Sequence, residues 1–447
     1  MEGPPRLPSH EALAAAPAWR RESLTWFISP EDGALLLRRQ RRWERVAPLP
    51  PADAAAVPGT LPDPLPLDAP PEGAVEIARF QGRIAELAPG MAWREGRIIT
   101  LEGGVRIARL TIEGPVAATL DLARRVAADL PLLPARASLH ETALALSEGR
   151  ATRPRRQGPP LLGGECGVEE GLRGALGHLI EVVLTESTAC TVAAGPRGVH
   201  QTRVALRRLR SLLRIFRPVA DGPDWRRWDA ALRDLARVLG AARDWDVFLA
   251  GIGPACHAAL GQDPRLRRLL RAAEGQREAA YGVVAQALSG APLREVVWLG
   301  LALLLQRPEG QPDAPLPPFA GQVLRARWRR LRRAGKAMAE LDAEALHEMR
   351  LDAKRLRYAA EPFAPIWPGK AGGRFIRRLA GLQDALGLAN DAAVARGLAE
   401  SLEGRGAGGF AIGAVSGFAA GRAEHGREAA LEAWARLAKQ GPFWRES

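Results

Sequence analysis

Residues 200–214 read H-Q-T-R-V-A-L-R-R-L-R-S-L-L-R, and residues 347–357 read H-E-M-R-L-D-A-K-R-L-R. Both fit one template: His, two residues, Arg, three residues, two basic residues, one residue, Arg. On a helix turning about 100° per residue, His200, Arg203, Arg207, Arg210 and Arg214 share an arc of roughly 80°. His347, Arg350, Lys354 and Arg357 do the same. Leu206, Leu209, Leu213 and Phe216 fall on the opposite side, so the helix can bury one face and present cations on the other. No acid lies between His200 and Arg217 to relieve the repulsion among six further arginines.

The two stretches are separated by 147 residues, and so is a second, unlike pair: L-G-A-A-R-D at 239–244 and L-G-L-A-N-D at 386–391. Between them, W-R-R-W-D-A-A-L-R-D-L aligns at that offset with G-R-F-I-R-R-L-A-G-L. Two unlike motifs sharing one offset indicate a tandem duplication. The C-terminal region is therefore expected to be an all-α domain of two four-helix-bundle repeats, about 169–305 and 318–440, related by a pseudo-twofold. Helices are expected at 169–192, 198–216, 224–240, 243–258, 264–288, 292–306, 318–338, 343–362, 371–386 and 389–402, with a last pair near 408–440.

Upstream the pattern changes. Residues 1–20 read as a loose arm, 23–45 as a hairpin around a D-G turn, and 48–73 as an extended Pro/Ala-rich connection. Short β-like runs fill 75–112, and an amphipathic helix is expected at 116–129. This is an α+β domain, residues 1–150, with an antiparallel sheet and one clear helix. Residues 151–165 form a basic Pro/Gly linker, and 166–447 the helical domain.

Charge follows the same division. Of a formal net +13, residues 1–150 hold 18 Arg, no Lys and 19 acids, so the excess belongs to the remainder. That points to an anionic partner for the helical domain. Cys166, Cys190 and Cys256 are scattered, which gives neither a disulfide framework nor a zinc site. The N-terminus lacks a signal-peptide pattern, and the apolar runs 296–305 and 410–420 are too short to span a bilayer. The expectation is a cytoplasmic protein without membrane segments.

Guanidinium forks bind phosphate oxygens bidentately and stay charged at physiological pH. Two stripes facing each other would make a basic channel for a long anion, with His200 and His347 as further donors. Asp244 and Asp391 can cap the next helix or reach the stripe and orient an arginine. Tyr358 is the one aromatic found across the stripes, whereas base recognition recruits several stacking rings. Nucleic acid is accordingly the weaker candidate. No hydrolytic acid pair, P-loop, dinucleotide fingerprint or H-E-x-x-H is present, so no catalytic residue, metal or cofactor is assigned.

V-H-Q-T-R-V-A-L-R-R-L-R-S-L-L-R-I-F with L-G-A-A-R-D-W-D-V resembles the first half of the CHAD domain, the conserved-histidine α-helical domain. L-H-E-M-R-L-D-A-K-R-L-R-Y-A-A-E-P-F with L-G-L-A-N-D-A-A-V resembles its second half. The resemblance spans roughly 166–440. It implies two four-helix bundles around a basic groove, binding of inorganic polyphosphate, and association with polyphosphate granules. The positions carried over are His200, Arg203, Arg207, Arg208, Arg210, His347, Arg350, Lys354, Arg355 and Arg357. Within 20–148, I-A-R-L-T-I-E-G-P-V-A-A-T-L-D-L is similar to the late strand and helix of the CYTH, or triphosphate-tunnel, domain. The E-x-E-x-K of that family is missing, and Arg109 and Thr111 stand where acids are expected. The resemblance thus implies a degenerate tunnel-like domain without enzymatic activity. A metal-dependent triphosphatase and a nonspecific nucleic-acid binder are the alternatives.

Overall fold

The computed structural model describes residues 18–32, 34–46, 65–69, 71–150, 158–305, 313–405 and 407–444. The expected arm at 1–17, most of the connection at 47–64 and the basic stretch 151–157 lie outside these residues. The chain divides into two compact units, residues 1–157 with 289–307, and residues 158–288 with 308–447.

The first unit is built on an antiparallel sheet of seven strands: β1 (Arg20–Ile28), β2 (Leu35–Arg39), β3 (Arg42–Arg45), β4 (Leu65–Leu67), β5 (Val75–Ala88), β6 (Met91–Thr100) and β7 (Gly103–Ile112). Their order is β4-β3-β2-β1-β5-β6-β7. Alternation decides which face is apolar. Leu24 and Trp26 of β1, Leu35 and Leu37 of β2, Ala78 and Phe80 of β5, Ile98 of β6 and Ile107 of β7 form one buried cluster. Helix α1 (Val116–Asp129) appears where the amphipathic pattern puts it. A second helix, α2 (Leu139–Ser147), goes beyond the single one expected from sequence. It starts on a capping box in which Ser138 and Glu141 satisfy each other's backbone N–H, and Ala143 joins the sheet's cluster. Glu22, on the apolar face, is tied to Arg94 by two hydrogen bonds of 2.5 and 3.1 Å.

The second unit carries helices α3 (Val168–Glu186), α4 (Arg197–Ile215), α5 (Pro223–Ala250), α6 (Ile252–Ala259) and α7 (Pro264–Ser289). After α8 (Ala291–Leu305), which belongs to the first unit, follow α9 (Leu316–Lys336), α10 (Ala343–Phe363), α11 (Lys370–Ala385), α12 (Gly387–Glu400) and α13 (Gly409–Gln440). The first helix, α3, stops at Glu186 rather than 192, with a 3-10 turn at Ser187–Ala189, and two joins also differ from expectation. The segment 224–258 is not broken at the L-G pair: α5 runs through it, because Leu239, Gly240 and Ala242 are all buried. The pair expected near 408–440 is one helix of 32 residues.

The duplication is visible in the packing. α3, α4 and α5 pack in series, as do α9, α10 and α11, and the copies meet through α3 on α9 and α4 on α10. Phe216 and Phe363, equivalent across the offset, are both fully buried with ring centroids 6.0 Å apart. Trp228 and Phe375 are likewise equivalent and fully buried. Burying each such side chain stabilises the fold by roughly 1.5–3 kcal/mol. Asp313, just ahead of α9, caps α3, accepting from the backbone N–H of Glu169 and Glu170 at 2.9 and 3.0 Å. It approaches so closely that a Cβ on Gly167 would lie 2.1 Å from its carboxyl.

Candidate anion-binding groove

α4 buries Leu206, Leu209, Leu212 and Leu213 and leaves Arg203, Arg207, Arg208 and Arg210 partly accessible and Arg214 exposed. α10 buries Met349, Ala353 and Leu356 and keeps Arg350, Lys354, Arg355 and Arg357 partly accessible. Packing α4 on α10 therefore brings the two stripes together along the line between the repeats. The Arg207 guanidinium carbon lies 5.9 Å, and that of Arg357 5.7 Å, from the centre of the Tyr358 ring. Tyr358 is buried and serves as the common platform of two cations, one from each copy. Burial lowers the Arg207 pKa; Tyr358 opposes that shift, while Arg203, Arg350 and Arg357 add to it. Four guanidinium groups thus share one neighbourhood, where charge is costly without an anion.

Their hydrogen bonding is incomplete. The Nε atoms of Arg203, Arg208, Arg350 and Arg357 are buried and have no hydrogen-bond partner. Glu361 takes a 3.0 Å hydrogen bond from Arg208 and lies 3.5 Å from Arg357, bridging the copies without satisfying either Nε. A buried donor left unmade costs about 1–3 kcal/mol, more when charged.

Other expected positions divide by copy. Arg210 is held by both carboxylate oxygens of Asp229, at 2.8 and 3.3 Å. At the equivalent place in the second copy stands Ile376, which leaves Arg357 without that partner. Arg355 donates to Asp352 at 2.8 Å, and its carbonyl accepts from Arg327 at 2.5 Å. His200 is half-buried and His347 exposed. Burial, then Arg243, Arg207, Arg203 and Arg208, hold the His200 pKa below its ordinary value.

Neither aspartate caps a helix. Asp244 lies inside α5, and Asp391 inside α12, whose N-cap Leu386 makes no side-chain cap. Burial raises the Asp244 pKa, Arg203 and Arg243 oppose the rise, and Asp391 adds to it. The two copies' aspartates are therefore electrostatic neighbours beside the stripe, inside their helices rather than at a cap.

Three contributors escaped the sequence reading. A Cβ on Gly240 would lie 3.4 Å from Arg203 Nη2, and one on Gly387 would lie 3.7 Å from Arg350 Nε. These glycines are the G of the two L-G motifs, and each makes the flat ground under the equivalent arginine; their common offset was the available signal. Arg327 lies beside Arg355 and Arg214, and burial above all lowers its pKa to about 10. It sits in the run R-A-R-W-R-R-L-R-R, whose density of cations was the clue. Among the described residues, no cluster of three His, Cys, Asp or Glu side chains could hold a metal ion. No single described helix is long and apolar enough to cross a membrane.

Residues 174–400, just over half of the 447, match the family model of the CHAD domain. The match begins beyond the sheet, so the tunnel-domain similarity of 20–148 gains no support from it. The crystal structure of the CHAD domain from the plant Ricinus communis is 26% identical, with a TM-score of 0.55, and the match covers 66% of this chain and 99% of that one. PptA from Streptomyces chartreusis is 20% identical, with a TM-score of 0.48, and the match covers 60% of this chain and 100% of that one. No curated protein matches.

Proposed function

The chain belongs to the CHAD domain family, and from that premise we propose that it binds inorganic polyphosphate along the groove between α4 and α10 and associates with polyphosphate granules. The observation that carries the reading is the set of four buried Nε groups without a hydrogen bond, on Arg203, Arg208, Arg350 and Arg357. A phosphate chain offers oxygens at short, regular intervals and can satisfy donors from both copies at once. Base recognition is disfavoured because Tyr358, the aromatic of the stripes, is buried and already faced by Arg207 and Arg357. The protein acts as a binder rather than a hydrolase: the acids beside the groove, Asp244 and Asp391, are one from each copy, and Asp244 lies in the field of Arg203 and Arg243.

Replacing Arg203 and Arg350 together by Ala is expected to weaken retention on long-chain polyphosphate by at least about tenfold, at the level of two charged hydrogen bonds. Undiminished retention overturns the placement. Duplex DNA should displace polyphosphate only weakly, and incubation with Mg²⁺ or Mn²⁺ should release no phosphate.

A further inference from the structure

We propose a second oxyanion site, confined to the second repeat and suited to a short run of phosphoryl groups. α11 and α13 pack side by side. Between them lies a cleft of about 520 Å³ lined by Arg374, Arg377, Arg378 and Arg436 over a floor of small residues that includes Gly381 and Ala433. No acid lines it. Arg378 is braced across the cleft by a 2.8 Å hydrogen bond from its Nη1 to the carbonyl of Arg436. Arg436 also meets Glu432 at 3.2 Å, an exposed pair of the kind that contributes little.

The duplication supplies a control within the chain. At the 147-residue offset, Arg377, Arg378, Gly381 and Ala385 correspond to Ala230, Ala231, Asp234 and Val238. The first copy folds with two alanines, an acid and a larger side chain where the second places two cations over a glycine and an alanine. The cleft is therefore not required by the bundle. Like charges three and four residues apart, as at Arg374, Arg377 and Arg378, work against a helix unless an anion joins them. Its volume is within the range of small-molecule sites, about 300–1,000 Å³, and suits two or three phosphoryl groups better than a long chain. It shares no residue with the stripes and does not depend on the groove reading. Guanidinium groups converging from two helices can take several oxygens of one phosphate cluster, whether a free oligophosphate or the end of a long chain.

The test uses the full chain with tripolyphosphate and long-chain polyphosphate as probes, by calorimetric titration. R377A/R378A restores the first copy's residues at exposed positions, and circular dichroism checks its fold. In the R203A/R350A background one tripolyphosphate site should persist, and adding R377A/R378A should weaken it at least tenfold. Weakening for tripolyphosphate assigns the cleft to free oligophosphate; weakening for long chains alone assigns it to a chain end. The proposal is overturned if the cleft variant leaves both titrations unchanged, or if sulfate at equal ionic strength binds the cleft as tightly as tripolyphosphate. Failure of the groove would appear instead as long-chain retention indifferent to R203A/R350A, with the cleft's site intact.

Discussion

His200 sits where two linked equilibria can be separated. Burial and the arginines around it keep its folded pKa below the ordinary imidazole value, so near neutral pH it is the uncharged form that faces the groove. A bound phosphate reverses the local field and raises that pKa. Affinity should then rise as pH falls through the bound-state value and level off below the free-state value. Stability of the unliganded protein moves the other way: with the folded pKa depressed, this contribution is full above the unfolded value of about 6.5 and is lost as pH falls through the folded value. Polyphosphate affinity measured at pH 7.5 and 5.5 should increase by roughly three- to tenfold more for the wild type than for H200Q, a shift of up to one pKa unit. Equal gains would remove His200 from the site. Asp229 offers a second test at this scale. It occupies Arg210 from 2.8 Å, and D229N should free that guanidinium for phosphate. The expected gain is about two- to fivefold, the value of one partly exposed ion pair. The salt dependence should also steepen by just under one unit of log K per log salt, as for one added phosphate contact. An unchanged slope would mean that Arg210 does not reach the ligand.

Helices α5 and α12 show how much an element's role depends on what it leaves out. Gly240 and Gly387 clear the ground on which Arg203 and Arg350 lie, and Gly240, inside α5, does so at a helix-propensity cost of about 0.8–1 kcal/mol. Gly240→Ala should therefore leave the melting temperature unchanged or higher, because its Cβ meets the Arg203 guanidinium only at 3.4 Å, while crowding that guanidinium and weakening polyphosphate binding about threefold. A loss of binding that merely tracks a loss of stability would argue against the platform. The duplication itself was legible in sequence because the His/Arg template and the L-G motif recur at one offset, and the core repeats it in Phe216 with Phe363 and Trp228 with Phe375. Stripe direction was legible too, since leucines opposite the arginines dictate which face turns inward. Occupancy was not. Arg210 and Arg357 hold the same place in the template, yet Arg210 meets Asp229, whose equivalent in the second copy is Ile376, a difference that lies on the neighbouring helix. The L-G pairs suggested a helix break in both copies. Burial of Leu239 and Ala242 carries α5 through the first, while the second does part at Leu386 and Gly387.

Across the whole molecule, chain order and structural unit do not coincide. Residues 289–307, which lie between the two repeats in sequence, belong to the first unit. There α8 packs with α1, and Trp298 Nε1 donates to the carbonyl of Leu132 at 3.0 Å. Val296, Val297, Leu301 and Leu303 of α8 are each at most 4% exposed. A fragment cut at residue 158 would keep α8 and lose the helix it packs on, exposing an apolar surface of the kind that drives association. Fragment 158–447 is thus expected to associate into larger species in light scattering than the full chain forms. Replacing 289–312 in that fragment by a flexible linker long enough to rejoin α7 to α9 should restore a monodisperse protein. It should also retain polyphosphate binding, because the groove residues on α4 and α10 both belong to the second unit. If fragment 158–447 is already monodisperse, α8 does not need the first unit. If the linker-joined fragment is monodisperse but has lost binding, the first unit supports the groove as well as holding α8.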